Sequence, residues 1–161
     1  MIHILRQADI FYELTSTQIE MIASISSQQI YAEGAIIFEE NQPSTNLFVI
    51  ADGEVEIQVD SKLIGKSTDE GPKTIAVLRR GQSFGEVALV DQGLSSARAR
   101  CAKPETHLVI IPHSRLLKLC DSFPDMGYRL MRNLAADLAM KIRNTDLQMR
   151  EYLTWATRRD L

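Results

Sequence analysis

Asp52 and Gly53 separate two short runs of residues that have the pattern of β-strands. The second run, residues 54–59, alternates strictly between acidic or amide side chains and valine or isoleucine. This period of two is typical of a strand that buries one face. An Asp-Gly pair between two such runs favours a tight turn, because glycine readily adopts positive φ angles. The pattern therefore predicts an antiparallel hairpin centred on Asp52 and Gly53.

Similar strand-like runs recur on both sides of this turn, from about residue 30 to residue 112. The additional predicted strands are residues 35–38, 46–50, 74–78, 97–102 and 107–111, with a polar hairpin tip or longer loop at residues 61–73. Residues 1–28 and the residues after His113 have a helical period instead. Many short strands with helices only at the two ends predict a mainly β protein with flanking helices. We expect an antiparallel β-roll or jelly roll, also called a double-stranded β-helix.

Two sequence signals predict where helices begin. Thr15 followed by Gln18 has the spacing of a capping box. In this motif each side chain accepts a hydrogen bond from the backbone N–H of the other residue. Pro124 suits the first position of a helix, where its missing N–H group costs nothing. The sequence thus divides into a β-roll with N-terminal helices, residues 1–123, and a long C-terminal helix, residues 124–161.

The predicted C-terminal helix has an apolar stripe. The stripe contains Leu130, Leu134, Leu138 and Ile142, and continues through Thr145 and Met149 to Tyr152 or Leu153. A helix unbroken from Pro124 to about Tyr152 would be roughly 43 Å long, which is more than a small β-roll can cover. We therefore expect a homodimer that pairs this helix with its copy. The alternative is a frayed end held on the roll only by the first half of the helix.

Composition excludes several classes of protein. The net charge of −3 over 161 residues argues against a protein that coats nucleic acid, which needs a basic surface. No apolar run approaches the ~20 residues that span a membrane, and the N-terminus lacks the pattern of an export signal. We expect a cytoplasmic location, with Cys101 and Cys120 as reduced packing residues rather than a disulfide or a metal site.

Residues 83–100 contain the motif with the clearest chemistry. Phe84, Gly85 and Glu86 lead into Val87, Ala88 and Leu89, so a glycine turn is followed at once by a short helical turn. The first N–H groups of a helical turn have no partner within it and point in one direction. The motif therefore predicts a site for an anion.

With this motif, the chain from about Phe11 to Ile142 resembles the cyclic nucleotide-binding domain of the bacterial catabolite-activator type. The Asp52-Gly53 turn, Gly81 at the end of a strand and the long terminal helix add to the resemblance. In that family the motif is the phosphate-binding cassette. The resemblance implies a β-roll that binds cAMP or cGMP and reports its presence through the C-terminal helix.

The resemblance also implies roles for individual residues. Gly85 would allow a close approach of the ligand, and Glu86 would accept a hydrogen bond from the ribose 2′-hydroxyl. The backbone N–H groups of the three residues that follow would face the cyclic phosphate. The expected ligand-binding residues are Phe84, Gly85, Glu86, Val87, Ala88, Leu89, Ser95 and Ser96.

One position departs from the family pattern. Where the family has an arginine, this chain has Ser95, while Ser96 matches the small residue that follows. Arg98 and Arg100 are the nearest replacements, but strand alternation places them opposite small apolar residues and predicts that both face outward. A charge-assisted hydrogen bond contributes about 1.5–3 kcal/mol, so its loss would weaken binding roughly ten- to more than a hundredfold.

The leading hypothesis is a regulatory or sensor module, not an enzyme, that binds a cyclic nucleotide or related anion and needs no other cofactor. The alternative is a degenerate domain that binds no small molecule and serves as a dimerisation or protein-docking scaffold, with Glu86 acting only as a cap on its helical turn. A cupin-like metal site is disfavoured, because such a site needs closely spaced histidines. His3, His107 and His113 are widely spaced and are expected at the surface or in loops.

Activator relatives continue past the long helix into a helix-turn-helix domain. This sequence ends at Leu161, after Arg158 and Arg159, which are too few basic residues for a nucleic-acid-binding arm. We therefore expect neither a DNA-binding domain nor direct action as a transcription factor.

Overall fold

A computed structural model describes residues 1–60, 71–91 and 93–159 of the chain. The predicted loop at residues 61–73 lies mostly outside the described residues. The strands are β1 (Ser27–Tyr31), β2 (Ile36–Phe38), β3 (Asn46–Asp52), β4 (Glu54–Val59), β5 (Lys73–Arg79), β6 (Ser83–Phe84), β7 (Arg98–Cys101) and β8 (Thr106–Pro112). The helices are α1 (Ile2–Gln7), α2 (Ser16–Ile25), α3 (Glu86–Asp91), α4 (His113–Ser122) and α5 (Pro124–Arg159), with a 3-10 turn at Asp9–Phe11.

The strands form two four-stranded antiparallel sheets, in the orders β1-β8-β3-β6 and β2-β7-β4-β5. The first sheet lies between the helices and the second sheet, so both of its faces are covered. Along β3, Leu47 and Val49 belong to the core shared with the helices, whereas Phe48 and Ile50 belong to the core between the two sheets. This alternation explains why five consecutive residues of β3 are buried. The predicted mainly β roll with flanking helices is confirmed.

The turn at Asp52 and Gly53 lies where the sequence placed it, and Gly53 has a φ angle of 92°. The predicted hairpin pairing, however, is wrong. β3 pairs with β8 and β6, while β4 pairs with β5 and β7, so the turn passes the chain from one sheet to the other. The reason is physical: alternation shows which face of a strand is buried but does not identify the neighbouring strand.

Both predicted helix starts are confirmed. The Thr15 backbone N–H donates to Gln18 Oε1 at 2.9 Å, and the Gln18 backbone N–H donates to Thr15 Oγ1 at 3.3 Å, which completes the capping box of α2. Helix α5 begins at Pro124 and continues to Arg159, beyond the predicted end near Tyr152. Its 36 residues correspond to a length of roughly 54 Å.

The first half of α5 is packed on the domain and its second half is not. Met126, Leu130 and Leu134 are buried in the core, and Asn133 Nδ2 donates to the backbone carbonyl of Tyr12 at 2.7 Å. Apolar side chains later in the helix are exposed; they include Met140, Ile142, Leu147, Met149, Tyr152, Leu153 and Trp155. The helix therefore extends past the surface that the domain offers to it.

Cys101 and Cys120 are buried free thiols, as predicted. None of the helices in residues 1–60, 71–91 and 93–159 combines the length and the apolar character needed to cross a lipid bilayer.

Candidate functional site: the cassette after strand β6

Packing on both sides fixes the backbone of the predicted anion site. Phe84 ends β6, and its ring stacks on Phe48 with a centroid separation of 5.0 Å. Gly85 follows with a φ angle of 85°, and a Cβ atom there would lie 2.6 Å from the carbonyl oxygen of Asn46. Leu89 then anchors the short helix α3 in the larger core. We call residues 83–91 the cassette.

Glu86 is buried at the start of α3 and is ion-paired to a residue of the long helix. The side chain of Glu86 is only 6% exposed, and its Oε1 accepts a hydrogen bond of 2.7 Å from Lys141 Nζ. The same ammonium donates to the carbonyl of Ser83 at 3.0 Å and lies 2.8 Å from Asp137 Oδ2. A buried carboxylate needs such a partner, because an unpaired charge in a protein interior is strongly unfavourable.

The charge state of Lys141 follows from these contacts. Burial alone would lower the pKa of the ammonium, but the carboxylates of Glu86 and Asp137 outweigh that effect, so the pKa lies above its ordinary value. Lys141 is therefore cationic at neutral pH. At their formal charges, Glu86, Asp137 and Lys141 together carry −1.

Four buried side-chain atoms in the described part of the chain have no hydrogen-bond partner. Two of them are Asp137 Oδ2, which lies in an ion pair with Lys141, and His113 Nε2. The other two are oxygens at predicted ligand-binding positions, Glu86 Oε2 and Ser95 Oγ. Ser95 is 6% exposed, and its backbone is fixed by two hydrogen bonds, from Asn41 N–H to the Ser95 carbonyl and from Ser95 N–H to the Gln42 carbonyl. Buried polar atoms without a partner are uncommon in proteins and need an explanation.

The two nearby arginines face away from the packed interior, as predicted. Ala99 and Cys101 of β7 are fully buried, which turns Arg98 and Arg100 to the other face of the strand. Arg98 Nε pairs with Glu39 Oε2 at 2.6 Å, and Arg100 Nη1 pairs with Glu56 Oε2 at 3.1 Å. Each guanidinium group thus has a carboxylate partner away from Glu86.

Comparison with known proteins agrees with this geometry. The family model described as "Cyclic nucleotide-binding domain" matches residues 28–123. The chain belongs to this family. It is 28% identical over 145 residues to the cyclic AMP receptor protein of Thermus thermophilus, a match that covers 90% of this chain and 62% of that relative.

Solved structures show the same likeness. The catabolite activator protein of Thermus thermophilus superposes with a TM-score of 0.72 at 26% identity, covering 90% of this chain and 63% of that one. A cyclic nucleotide-binding domain from Methylobacillus flagellatus has a TM-score of 0.78 at 20% identity, covering 93% and 81%, and this likeness concerns the fold. The chain thus spans less than two thirds of the length of the Thermus relative.

Other predicted site residues of this cyclic nucleotide-binding domain differ in exposure. Ala88 is buried, Val87 is half-buried, and Ser96 is exposed at the surface. Phe84 and Leu89 are packed in the two cores, so they shape the cassette rather than present their side chains to a ligand. The structure therefore buries Phe84, Glu86, Ala88, Leu89 and Ser95, and leaves Ser96 outside.

The sequence patterns did not predict that Lys141, Asp137 and His113 belong to or lie near the site. Lys141 follows Leu134 by seven residues, which places it on the packed face of α5, and a lysine in that stripe is the signal that could have revealed it. His113 was expected at the surface or in a loop, but it is buried at the start of α4. Its backbone N–H donates to the Thr45 carbonyl at 2.9 Å, and burial lowers the pKa of the imidazole.

Proposed function

We propose that this domain is a cytoplasmic regulatory module that binds a cyclic nucleotide, or a related anion, at the cassette and transmits its presence through α5. The observation that carries the proposal is that Glu86 Oε2 and Ser95 Oγ are buried and have no hydrogen-bond partner among residues 1–60, 71–91 and 93–159. Both belong to positions at which the family binds its ligand. A ribose hydroxyl could donate to Glu86 Oε2 while Lys141 keeps its bond to Oε1. The two free buried thiols fit a reducing compartment.

The name of the Thermus relative, the cyclic AMP receptor protein, makes cAMP the first ligand to test. We expect weak binding, with a Kd on the order of 0.1 mM, because Ser95 cannot supply the charge of an arginine. The net charge of −1 on Glu86, Asp137 and Lys141 also gives no attraction to a phosphate. The backbone N–H groups of the cassette would have to supply most of the anion binding.

Titration calorimetry of the whole chain with cAMP and with cGMP tests this expectation. Protein at several hundred micromolar and ligand at low millimolar concentration should give a saturable heat, and Glu86→Ala should remove it. Glu56→Ala is the matched control, because it also removes a glutamate from an ion pair, with Arg100, but outside the cassette. No heat from the unaltered chain with either nucleotide would contradict the nucleotide proposal.

A second candidate function is a protein-docking or dimerisation scaffold that binds no small molecule. The observation that favours it is the bond from Lys141 to Glu86, since the chain itself supplies a partner for the ligand-binding carboxylate. A scaffold predicts that added nucleotide leaves the melting temperature unchanged. It also predicts that Glu86→Ala leaves binding of a partner protein unchanged.

We also propose that the exposed half of α5 pairs with its copy in a homodimer. Ile142 and Met149 are seven residues apart, which places them on one face, and both are more than half exposed in the single chain. Large exposed apolar side chains on one helix face are typical of an interface. The repeat of seven between them is the spacing that two paired helices share.

Ile142→Glu combined with Met149→Glu should convert the dimer to a monomer. The two charges would face their copies across the interface, and we expect the dimer to weaken at least about a hundredfold. Analytical ultracentrifugation between 1 and 100 µM, a range chosen to bracket roughly micromolar affinity, would measure the change. Asn144→Glu adds charge at an exposed position on another face of α5 and should leave the dimer intact. A monomeric unaltered chain, or equal effects of both variants, would contradict the proposed interface.

A further inference from the structure

Helix α5 is attached to the domain in two different ways. Its first half is held by buried apolar side chains such as Leu130 and by hydrogen bonds from Asn133. Beyond Asp137, the attachment includes two polar contacts: Lys141 bonds to the cassette, and Gln148 Nε2 makes a long hydrogen bond of 3.5 Å to the Ile75 carbonyl. The second half is therefore the part of the helix that a change in the cassette can release.

Lys141 is not a substitute for the missing arginine. The ammonium group donates hydrogen bonds to the Ser83 carbonyl and to Glu86 Oε1, and it lies in an ion pair 2.8 Å from Asp137 Oδ2. Its positive charge is already opposed by two carboxylates of the chain itself. Lys141 thus binds Glu86 and the backbone of the cassette.

Glu86 and Lys141 depend on each other. Removing one partner of a buried ion pair is strongly destabilising, since it leaves an uncompensated charge. Glu86 can stay buried, with Oε2 free to accept a ligand hydroxyl, only while a cation is near. Conversely, Glu86 is the charged group of the domain that holds Lys141: the Ser83 carbonyl adds a neutral bond, and Asp137 belongs to the same helix and cannot attach it to the cassette.

We propose that Lys141 is a positioning residue that couples the cassette to the second half of α5. When α5 detaches beyond Asp137, Glu86 loses its buried orientation, and when Glu86 leaves that orientation, α5 detaches. The coupling itself does not depend on the proposed function. Only the statement that a ligand uses this coupling for signalling rests on it. By reciprocity, a ligand that favours the inward Glu86 strengthens the docking of α5 to the same extent.

Hydrogen exchange of the ligand-free chain, followed by mass spectrometry, tests the coupling. Lys141→Met and Glu86→Gln should each speed amide exchange about tenfold or more, and each should do so in both residues 83–90 and residues 137–150. The double variant should exchange no faster than the faster single variant, because each change breaks the same contact. Lys141→Arg should restore most of the protection, whereas Arg143→Met, an exposed site on the same helix, should change nothing.

The double variant leaves no charge on the buried Glu86 side chain, and only the more exposed Asp137 loses its partner, so it keeps the test valid if Lys141→Met alone does not fold. Faster exchange confined to the segment that holds the substitution, or additive effects in the double variant, would overturn the proposal. These outcomes are independent of nucleotide. If the exchange effects appear and calorimetry shows no heat, the ligand proposal fails while the coupling stands.

Discussion

Gly85→Ala should destabilise the domain by about 2–4 kcal/mol. Two costs combine at this position. The φ angle of 85° is unfavourable for any residue with a side chain, and the new Cβ atom would lie 2.6 Å from the Asn46 carbonyl oxygen. That oxygen belongs to β3, a central strand of the first sheet, so it cannot move aside without disturbing the pairing of β3 with β8.

Gly34→Ala is the matched control for the first of these costs. Gly34 has nearly the same φ angle, 82°, but its nearest atom is the flexible end of Arg100 at 3.4 Å. We expect this variant to lose only about 1 kcal/mol. Urea unfolding of both variants would separate backbone strain from the close approach. Equal losses would show that Asn46 gives way and that the contact does not constrain the cassette.

Features encoded within a few neighbouring residues could be predicted from the sequence. The capping box at Thr15 and the helix start at Pro124 depend only on adjacent backbone groups, and both are confirmed. The outward direction of Arg98 and Arg100 followed from the small residues between them. The pairing of β3 and β4 could not be predicted, because the choice of neighbouring strand depends on residues far along the chain.

The candidate site shows the same division. Glu86 and Ser95 could be found from the motif, since they lie in or near one continuous segment. Lys141 lies 55 residues from Glu86. The apolar period of α5 shows which side of the helix packs on the domain, but it does not show which residue of that side lies beside the cassette. The position of the helix along the cassette decides whether a lysine contacts a carboxylate or is exposed to solvent. The burial of Glu86 by its own chain therefore became visible only in the structure.

These contacts bear on how a ligand could act. One oxygen of Glu86 is bonded to α5, and the other has no hydrogen-bond partner among the described residues. A ligand hydroxyl on the free oxygen would add to the bond with Lys141 rather than replace it. We therefore expect the ligand to strengthen the attachment of α5, so that signalling takes the form of ordering the second half of the helix.

Ser95→Arg should raise the affinity for cAMP about ten- to more than a hundredfold. The backbone at Ser95 is held by hydrogen bonds to Asn41 and Gln42, so a new side chain would start from a fixed position. A guanidinium there would restore a cation with two parallel donors, which suits phosphate geometry. It would also offset the net charge of −1 carried by Glu86, Asp137 and Lys141.

The substitution should lower stability when no ligand is present, because Ser95 is buried and the new charge would have no phosphate to meet. Added cAMP should then raise the melting temperature of Ser95→Arg more than that of the unaltered chain, since a ligand stabilises the state that binds it. Calorimetry would give the affinity directly.

Ser96→Arg is the matched control: it adds the same charge one residue later, at an exposed position. If only Ser95→Arg raises the affinity for cAMP, the weak binding of the unaltered chain is due to one missing contact. Nonspecific attraction of the phosphate would instead raise the affinity of both variants. No gain in either variant would mean that the cassette, even with its charge restored, does not accept the nucleotide, and the scaffold function would then be favoured.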